Sequence, residues 1–164
     1  MATILSHELE ADFFELSGVK SRKEDLNKIL ELAEKNKSYN KRTLLFLDEI
    51  HRRTKAQQDA LLPSVESGLI TLIGATTENP SFTIINALLS RAKVLVFEPL
   101  KEEDIIQFFK QNQEKIQTPL SDDLLKTLAA LSNGDLRNAC NLLETSLMLA
   151  KDGEITPEII QKAF

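Results

Sequence analysis

The sequence is poor in the residue types that build disulfide-stapled, metal-bound or membrane-spanning proteins. Its one cysteine, Cys140, has no intramolecular partner, and the two histidines, His7 and His51, are too few to complete a His/Cys zinc site. Both shortages point to a reducing, cytoplasmic setting. No apolar run approaches the roughly 18 residues of a membrane span. The opening Met1-Ala2-Thr3-Ile4-Leu5-Ser6-His7-Glu8 lacks the basic flank and apolar stretch of a signal peptide, so no membrane partner is expected. Basic residues are not in excess either: 20 Lys+Arg face 25 Asp+Glu, a formal net charge of −5. That excludes histone-like binding and leaves a local patch as the electrostatic route to nucleic acid. No internal repeat or low-complexity tract is present. What remains is a globular balance, 42% hydrophobic and 27% charged, over 164 residues. Such a chain suits one domain, or a domain with a small appendage.

Three short apolar runs have strand length: Thr43–Leu47, Leu69–Ile73 and Val94–Phe97. Each is apolar at consecutive positions, as in strands covered on both faces. Asp12–Ser17 is a weaker fourth candidate. Helical stretches fill the gaps, with Leu26, Ile29, Leu30 and Ala33 on one face of Ser21–Lys37, then Ala56–Glu66 and Ile84–Ser90. Strands alternating with helices predict parallel βαβ units. After Pro99 the pattern becomes helical: Glu102–Lys115, Ser121–Leu131 with Ser121 as cap, Asp135–Ala150 and Pro157–Ala163. The expected architecture is an α/β core over residues 1–99 and a small helical bundle over 100–164.

The sharpest chemical signal is Leu44-Leu45-Phe46-Leu47-Asp48-Glu49, in which an apolar strand delivers two acids to a sheet edge. Ligands of open parallel sheets bind outside the carboxyl ends of the strands. There Asp48 can hold a magnesium ion through its waters, and Glu49 can orient or deprotonate an attacking water. Acids also follow strands because loops are wet, and the run alone does not separate the two readings. A second strand ends in Gly74-Ala75-Thr76-Thr77, bringing hydroxyls to the same edge, although threonines there also serve turns and caps. Arg91 closes a helix, where a cation also suits the dipole. Arg137 follows Asp135 in a first helical turn, where a cation opposes the dipole and invites a functional explanation.

In this order these elements resemble the AAA+ ATPases. Three stretches narrow the match: Asp48-Glu49-Ile50-His51-Arg52, Lys55–Pro63, and Thr71–Phe82 with its Thr-Glu-Asn-Pro-Ser-Phe segment. They resemble the RarA/MgsA family of replication-associated recombination factors, whose eukaryotic relatives include the Werner-helicase-interacting protein. The resemblance covers nearly the whole chain. It implies ATP and Mg2+ as cofactors, with Asp48 as the Walker B magnesium residue and Glu49 as the catalytic base. It implies Thr77 as sensor 1 (Thr76 being the other occupant), Arg91 as the arginine finger reaching a neighbouring subunit, and Arg137 as sensor 2 on the lid. A finger supplied in trans implies a homo-oligomeric ring. The parent protein is expected to bind DNA, act at stalled or gapped replication forks with replication-fork proteins, and associate with the bacterial nucleoid.

The family's Gly-rich P-loop is not found: none of Gly18, Gly68, Gly74, Gly134 and Gly153 is followed by Lys-Ser or Lys-Thr. Met1–Leu5 resembles the start of the helix that follows it. The expectation is that the polypeptide alone binds ATP weakly and hydrolyses it negligibly. In the family the missing segment supplies the strand between Leu69–Ile73 and Val94–Phe97, and the C-terminal oligomerisation domain is also absent, so the ring is not expected of this chain alone. Arg53 and Thr54 stand where the family has an aromatic and an asparagine, and Ala92 follows Arg91 where it has cysteine. Lys41, Arg42, Arg52, Arg53 and Lys55 form the one basic concentration. It reads as a DNA-facing rim, carried chiefly by Arg52, Arg53 and Lys55, or as a solvated face. His51 is expected to hydrogen-bond locally and Cys140 to be a core thiol. Two function classes follow: the catalytic part of a DNA-stimulated ATPase, or a non-catalytic module that binds or regulates full-length ring subunits.

Overall fold

A computed structural model describes residues 2–116, 118–150 and 155–164. The chain divides into two compact units, Met1–Leu95 and Val96–Phe164.

In the first unit, the described residues form a parallel three-stranded sheet in the order β1 (Asp12–Ser17), β2 (Thr43–Asp48), β3 (Thr71–Gly74). Asp12 pairs with Thr43 and Ser17 with Asp48, while Leu44 pairs with Thr71 and Leu47 with Gly74. The central strand is the most apolar one, with Leu44, Leu45 and Leu47 at most 1% exposed, as expected for a strand covered on both faces. Helix α1 (Ala2–Glu8) precedes β1, and α2 (Lys23–Ser38) returns the chain to β2. Leu26, Ile29 and Ala33 of α2 join Leu16, Leu45 and Leu47 in one hydrophobic cluster. Met1, at the head of the expected first helix, lies outside the described residues.

Between β2 and β3 lie a 3₁₀ turn (Ile50–Arg52), α3 (Lys55–Asp59) and α4 (Leu62–Glu66). The single helix expected over Ala56–Glu66 is thus two. Pro63 in the first turn of α4 has no N–H to give to the Asp59 carbonyl, which ends α3 at that point. Thr54 caps α3, accepting from Gln57 N–H at 3.3 Å while its own N–H donates to Gln57 Oε1 at 3.0 Å. After β3 come α5 (Pro80–Thr83) and α6 (Asn86–Leu89). The expected helix over Ile84–Ser90 loses its first two residues to extended backbone. The cause is Gln58, 1% exposed, whose amide donates to Thr83 O at 3.1 Å and accepts from Ile85 N–H at 2.9 Å. The buried amide takes backbone groups that a helix would have used.

The expected strand Val94–Phe97 is corrected: these residues form no strand and are unpaired, with exposures of 52–77%. A strand needs a neighbour for its N–H and C=O groups. Among the described residues β3 is paired only to β2, and no ladder reaches residues 94–97. An apolar run supplies the propensity and cannot supply the partner.

The second unit is helical: α7 (Glu102–Gln111), α8 (Gln113–Ile116), α9 (Asp122–Leu131), α10 (Leu136–Leu149) and α11 (Pro157–Ala163). Asn112 splits the expected Glu102–Lys115 helix, its side-chain amide donating to Phe108 O at 2.9 Å. Ser121 caps α9 through Leu124 N–H at 3.3 Å. Asp135 caps α10, accepting from Arg137 and Asn138 N–H at 2.8 and 3.2 Å. Ile105, Phe109, Leu128, Ala139 and Ile160, each at most 1% exposed, are the centre of this unit's own core.

Candidate functional site

The site begins where β2 ends. Asp48 is its last residue and is exposed, and Glu49 follows in left-handed backbone, φ 52° and ψ 47°. Non-glycine residues adopt that conformation at a cost of about 1–2 kcal/mol, and such strain gathers at functional positions. The loop after β1 is locked against this turn. Gly18 N–H donates to Asp48 O at 2.7 Å, and a Cβ at Gly18 would lie 2.1 Å from Glu49 O. Only a glycine permits that approach. On the other side Ala75 N–H donates to Leu47 O at 2.8 Å, and Ile50 N–H to Ala75 O at 2.9 Å. The acid pair is therefore fixed between the carboxyl ends of β1 and β3.

Glu49 is not free. Its Oε2 lies 3.1 Å from His51 Nε2, and His51 Nδ1 lies 2.9 Å from Thr76 Oγ1. Glu78 Oε1 is 3.6 Å from the same Nε2, and Glu78 N–H donates to Thr76 Oγ1 at 3.0 Å. The His51 side chain is 4% exposed. The structure thus brings Glu49 together with Thr76, through a histidine that sequence reasoning treated only as a local hydrogen-bonding residue. Thr77 is exposed, and among the described residues its side chain makes no hydrogen bond with the group around Glu49. Glu78 and Gln58 were missed by the sequence reading. Gln58 had a signal, since it stands three and four residues before Leu61 and Leu62 on one helical face.

The remaining candidates are dispersed. Arg91 folds back on its own chain, donating from Nη1 to Ala87 O at 2.9 Å and pairing through Nη2 with Glu66 Oε1 at 2.6 Å. Arg52 and Lys55 are exposed. Arg53, expected on the same rim, is 4% exposed, and its Nε and Nη2 have no partner among the described residues. Burial pulls its guanidinium below the ordinary value, an effect that nearby Asp25 offsets in part. A guanidinium buried to this degree makes no direct contact with a phosphate backbone, so Arg53 leaves the rim. Lys41 and Arg42 precede β2 and lie at the opposite sheet edge from the acids. Lys41 is paired with Asp12, whose carboxyl is held below its usual range chiefly by that hydrogen bond. A hollow of about 460 Å³ beside Leu9, Tyr39 and Arg42 lies at that far edge too, away from the acids. Arg137 is exposed in the first turn of α10, in the second unit.

Among the described residues no cluster of three or more His, Cys, Asp or Glu side chains could cage a metal ion. The exposed Asp48 carboxylate nevertheless suits a magnesium ion, which keeps most of its waters and takes one or two carboxylates plus phosphate oxygens. The donor set fits magnesium at the acid pair. No Gly-Lys-Ser or Gly-Lys-Thr run, the element whose backbone cradles the inner phosphates, occurs in the sequence. No helix among the described residues is long and apolar enough to cross a membrane.

The chain is similar to known proteins along almost its entire length. It is 41% identical to replication-associated recombination protein A of Escherichia coli K12 over 158 residues, covering 92% of this chain and 35% of that protein. It is 39% identical to ATPase WRNIP1 of Dictyostelium discoideum over 170 residues, 99% of this chain and 19% of that one. The chain thus spans about a third or less of these relatives. Among solved structures, the Thermotoga maritima RuvB Holliday junction branch migration motor superposes with a TM-score of 0.78 at 26% identity, over 99% of this chain and 55% of that one. The family of ATPases associated with various cellular activities (AAA) matches residues 1–100. With a parallel sheet delivering paired acids to its carboxyl edge, the chain belongs to the AAA family of ATPases, and its relatives include the replication-associated recombination A and WRNIP1 proteins.

Proposed function

We propose that this chain carries the hydrolytic wall and the lid of an AAA ATPase that acts in replication-linked recombination. The observation that supports it most strongly is the acid pair at the end of the central strand, with Glu49 in a strained left-handed turn and its carboxylate held against His51. In this reading Asp48 holds magnesium through water, and Glu49 orients or deprotonates the attacking water. Bound Mg2+ supplies charge neutralisation for phosphoryl transfer from ATP. Thr77 or Thr76 hydrogen-bonds the terminal phosphate from the loop after β3. Arg91 leaves Glu66 to reach a neighbouring subunit of a homo-oligomeric ring, and Arg137 contributes from the helical unit. Arg52 and Lys55 face DNA at a replication fork, in a cytoplasmic, nucleoid-associated setting.

The reading is tested in a chimera in which this chain replaces the matching stretch of the Dictyostelium ATPase WRNIP1. Glu49→Gln and Arg91→Ala chimeras are each expected to hydrolyse ATP at least about 100-fold more slowly, the scale of losing a general base or a finger. Mixing the two should restore part of the rate, because a ring then contains sites with one intact base and one intact finger. Undiminished hydrolysis in Glu49→Gln would overturn the reading.

The second reading, a non-catalytic module that binds or regulates full-length subunits, is favoured by the Arg91–Glu66 pair, which occupies the guanidinium within its own chain. It predicts that adding the chain to an intact relative changes that relative's hydrolysis, and that Arg91→Ala abolishes the change.

A further inference from the structure

His51 sits between two parts of the candidate site that have no direct bond to each other. On one side is Glu49, the proposed base. On the other is Thr76, in the loop after β3 that carries the proposed phosphate sensor. Donor and acceptor chemistry favours one arrangement of a neutral ring, with Glu78 O, at 3.5 Å, the other and longer acceptor open to the Thr76 hydroxyl. An ionised carboxylate only accepts, a neutral imidazole has one N–H, and a threonine hydroxyl has one O–H. The arrangement that satisfies all three has Nε2–H donating to Glu49 Oε2 at 3.1 Å and Nδ1 accepting from Thr76 Oγ1 at 2.9 Å. Thr76 Oγ1 in turn accepts Glu78 N–H at 3.0 Å, which ties the ring to the backbone of the loop. Glu78 Oε1, at 3.6 Å, lies just beyond hydrogen-bond reach of the same Nε2. Glu49 therefore holds the N–H alone while Glu78 stands beside it.

Three features make this more than a packing contact. The ring is 4% exposed, so its bonds are shielded from competing water. The Glu49 backbone is fixed by Gly18 and by its own turn, so the direction of the carboxylate is left to its side-chain partner. Thr76 stands next to Thr77, so the placement of the loop that carries the proposed sensor also places the hydroxyl on which Nδ1 rests.

We propose that His51 is a positioning residue that orients the Glu49 carboxylate and relays the placement of the Thr76–Glu78 loop to it. The role rests on the reading of Glu49 given above, and it couples the base to the phosphate-sensing loop through one buried ring. When the loop carries Thr76 away, the ring loses its anchor and Glu49 loses its aim. When the loop is seated, both bonds close together.

The test has two arms. In the 164-residue chain, ¹⁵N NMR should find His51 as the Nε2–H tautomer with a bare Nδ1. Thr76→Val should move both the His51 Nδ1 resonance and the Glu49 carboxyl ¹³C resonance. An Nδ1–H tautomer, or a Glu49 signal unmoved in Thr76→Val and His51→Gln, overturns the proposal whether or not the site hydrolyses ATP. In the WRNIP1 chimera, His51→Ala is expected to lower kcat about tenfold with KM unchanged. Thr76→Val should lower it by a similar factor, and the double variant should be no slower than His51→Ala alone. His51→Gln, which keeps both a donor and an acceptor but on a flexible chain in place of a rigid ring, should fall between the unsubstituted chimera and His51→Ala. Multiplying effects, or a change confined to KM, would show that the two residues act separately. If Glu49→Gln is itself fully active, the ATPase reading has failed and the first arm alone decides the relay.

Discussion

Substituting Gly18 by alanine isolates the contact that holds the acid pair. The new Cβ would lie 2.1 Å from Glu49 O, 2.9 Å from Glu49 C and 3.1 Å from Asp48 O, whereas ordinary contact begins near 3.4 Å. All three atoms are backbone, so no rotamer change relieves the overlap, and one strand end must move by about 1 Å. Overpacking of this kind costs about 1–3 kcal/mol. The Gly18 N–H bond to Asp48 O, at 2.7 Å, is disturbed as well, adding about 0.5–1.5 kcal/mol. A loss of roughly 2–4 kcal/mol should lower the urea midpoint by about 1–2 M, taking m near 2 kcal/mol/M. Far-UV circular dichroism reads the midpoint. Gly68→Ala is the companion variant, because Gly68 has φ 63° and a Cβ added there would meet nothing within 4 Å. Its cost is conformational only, about 1–2 kcal/mol, and it should leave the Glu49 and His51 resonances in place. Gly18→Ala should move them. A Gly18→Ala chain with an unchanged midpoint and unchanged Glu49 resonances would refute the argument that this glycine sets the acid pair.

Gln58→Leu strips partners from Arg53 O, Thr83 O and Ile85 N–H; unsatisfied buried groups cost about 1–3 kcal/mol each, so urea unfolding should report a loss of at least about 2 kcal/mol, and no loss would contradict the role given to this amide. Glu66→Ala removes the Arg91 partner from an exposed pair worth about 0–1 kcal/mol, so stability should barely change, and a large loss would mean that Arg91 is a structural anchor. The Asp12 carboxyl has a folded-state pKa below its unfolded value because Lys41 donates to it, so its contribution is present above about pH 4 and is lost as pH falls through the folded-state value. Lys41→Ala should flatten stability against pH on the acid side, and an unaltered acid limb would count against the pair. Burial, with Glu144 adding to it, pushes the Cys140 thiol up, so at neutral pH it should react with a disulfide reagent more slowly than free cysteine does.

The sequence made the central strand legible because Leu44–Leu47 is apolar at every position, a pattern that suits a doubly covered strand. The weaker Asp12–Ser17 run also became a strand, since β2 offers it a complete parallel ladder. Val94–Phe97, with a stronger apolar signal, did not, because pairing is a property of two segments and its partner is not among the described strands. Helix caps at Ser121 and Asp135 were local enough to read directly. The break before Pro63 was equally local, a proline signal that the helical pattern overrode, whereas the loss of helix at Ile84 and Ile85 depends on a buried Gln58 acting 25 and 27 residues away. Of the candidate site, the acids and the Thr76-Thr77 edge could be read from their places at strand ends. The burial of Arg53 and the bridging position of His51 could not, since both follow from how the turn after Glu49 folds over the sheet edge.

In the proposed mechanism Glu49 acts on the water that attacks ATP. Single-turnover hydrolysis of pre-bound ATP by the WRNIP1 chimera tests it most directly, because binding is already complete when the clock starts. With Glu49→Gln the nucleotide should be retained and the chemical step slowed at least about 100-fold. Equal single-turnover rates with and without the substitution would contradict it.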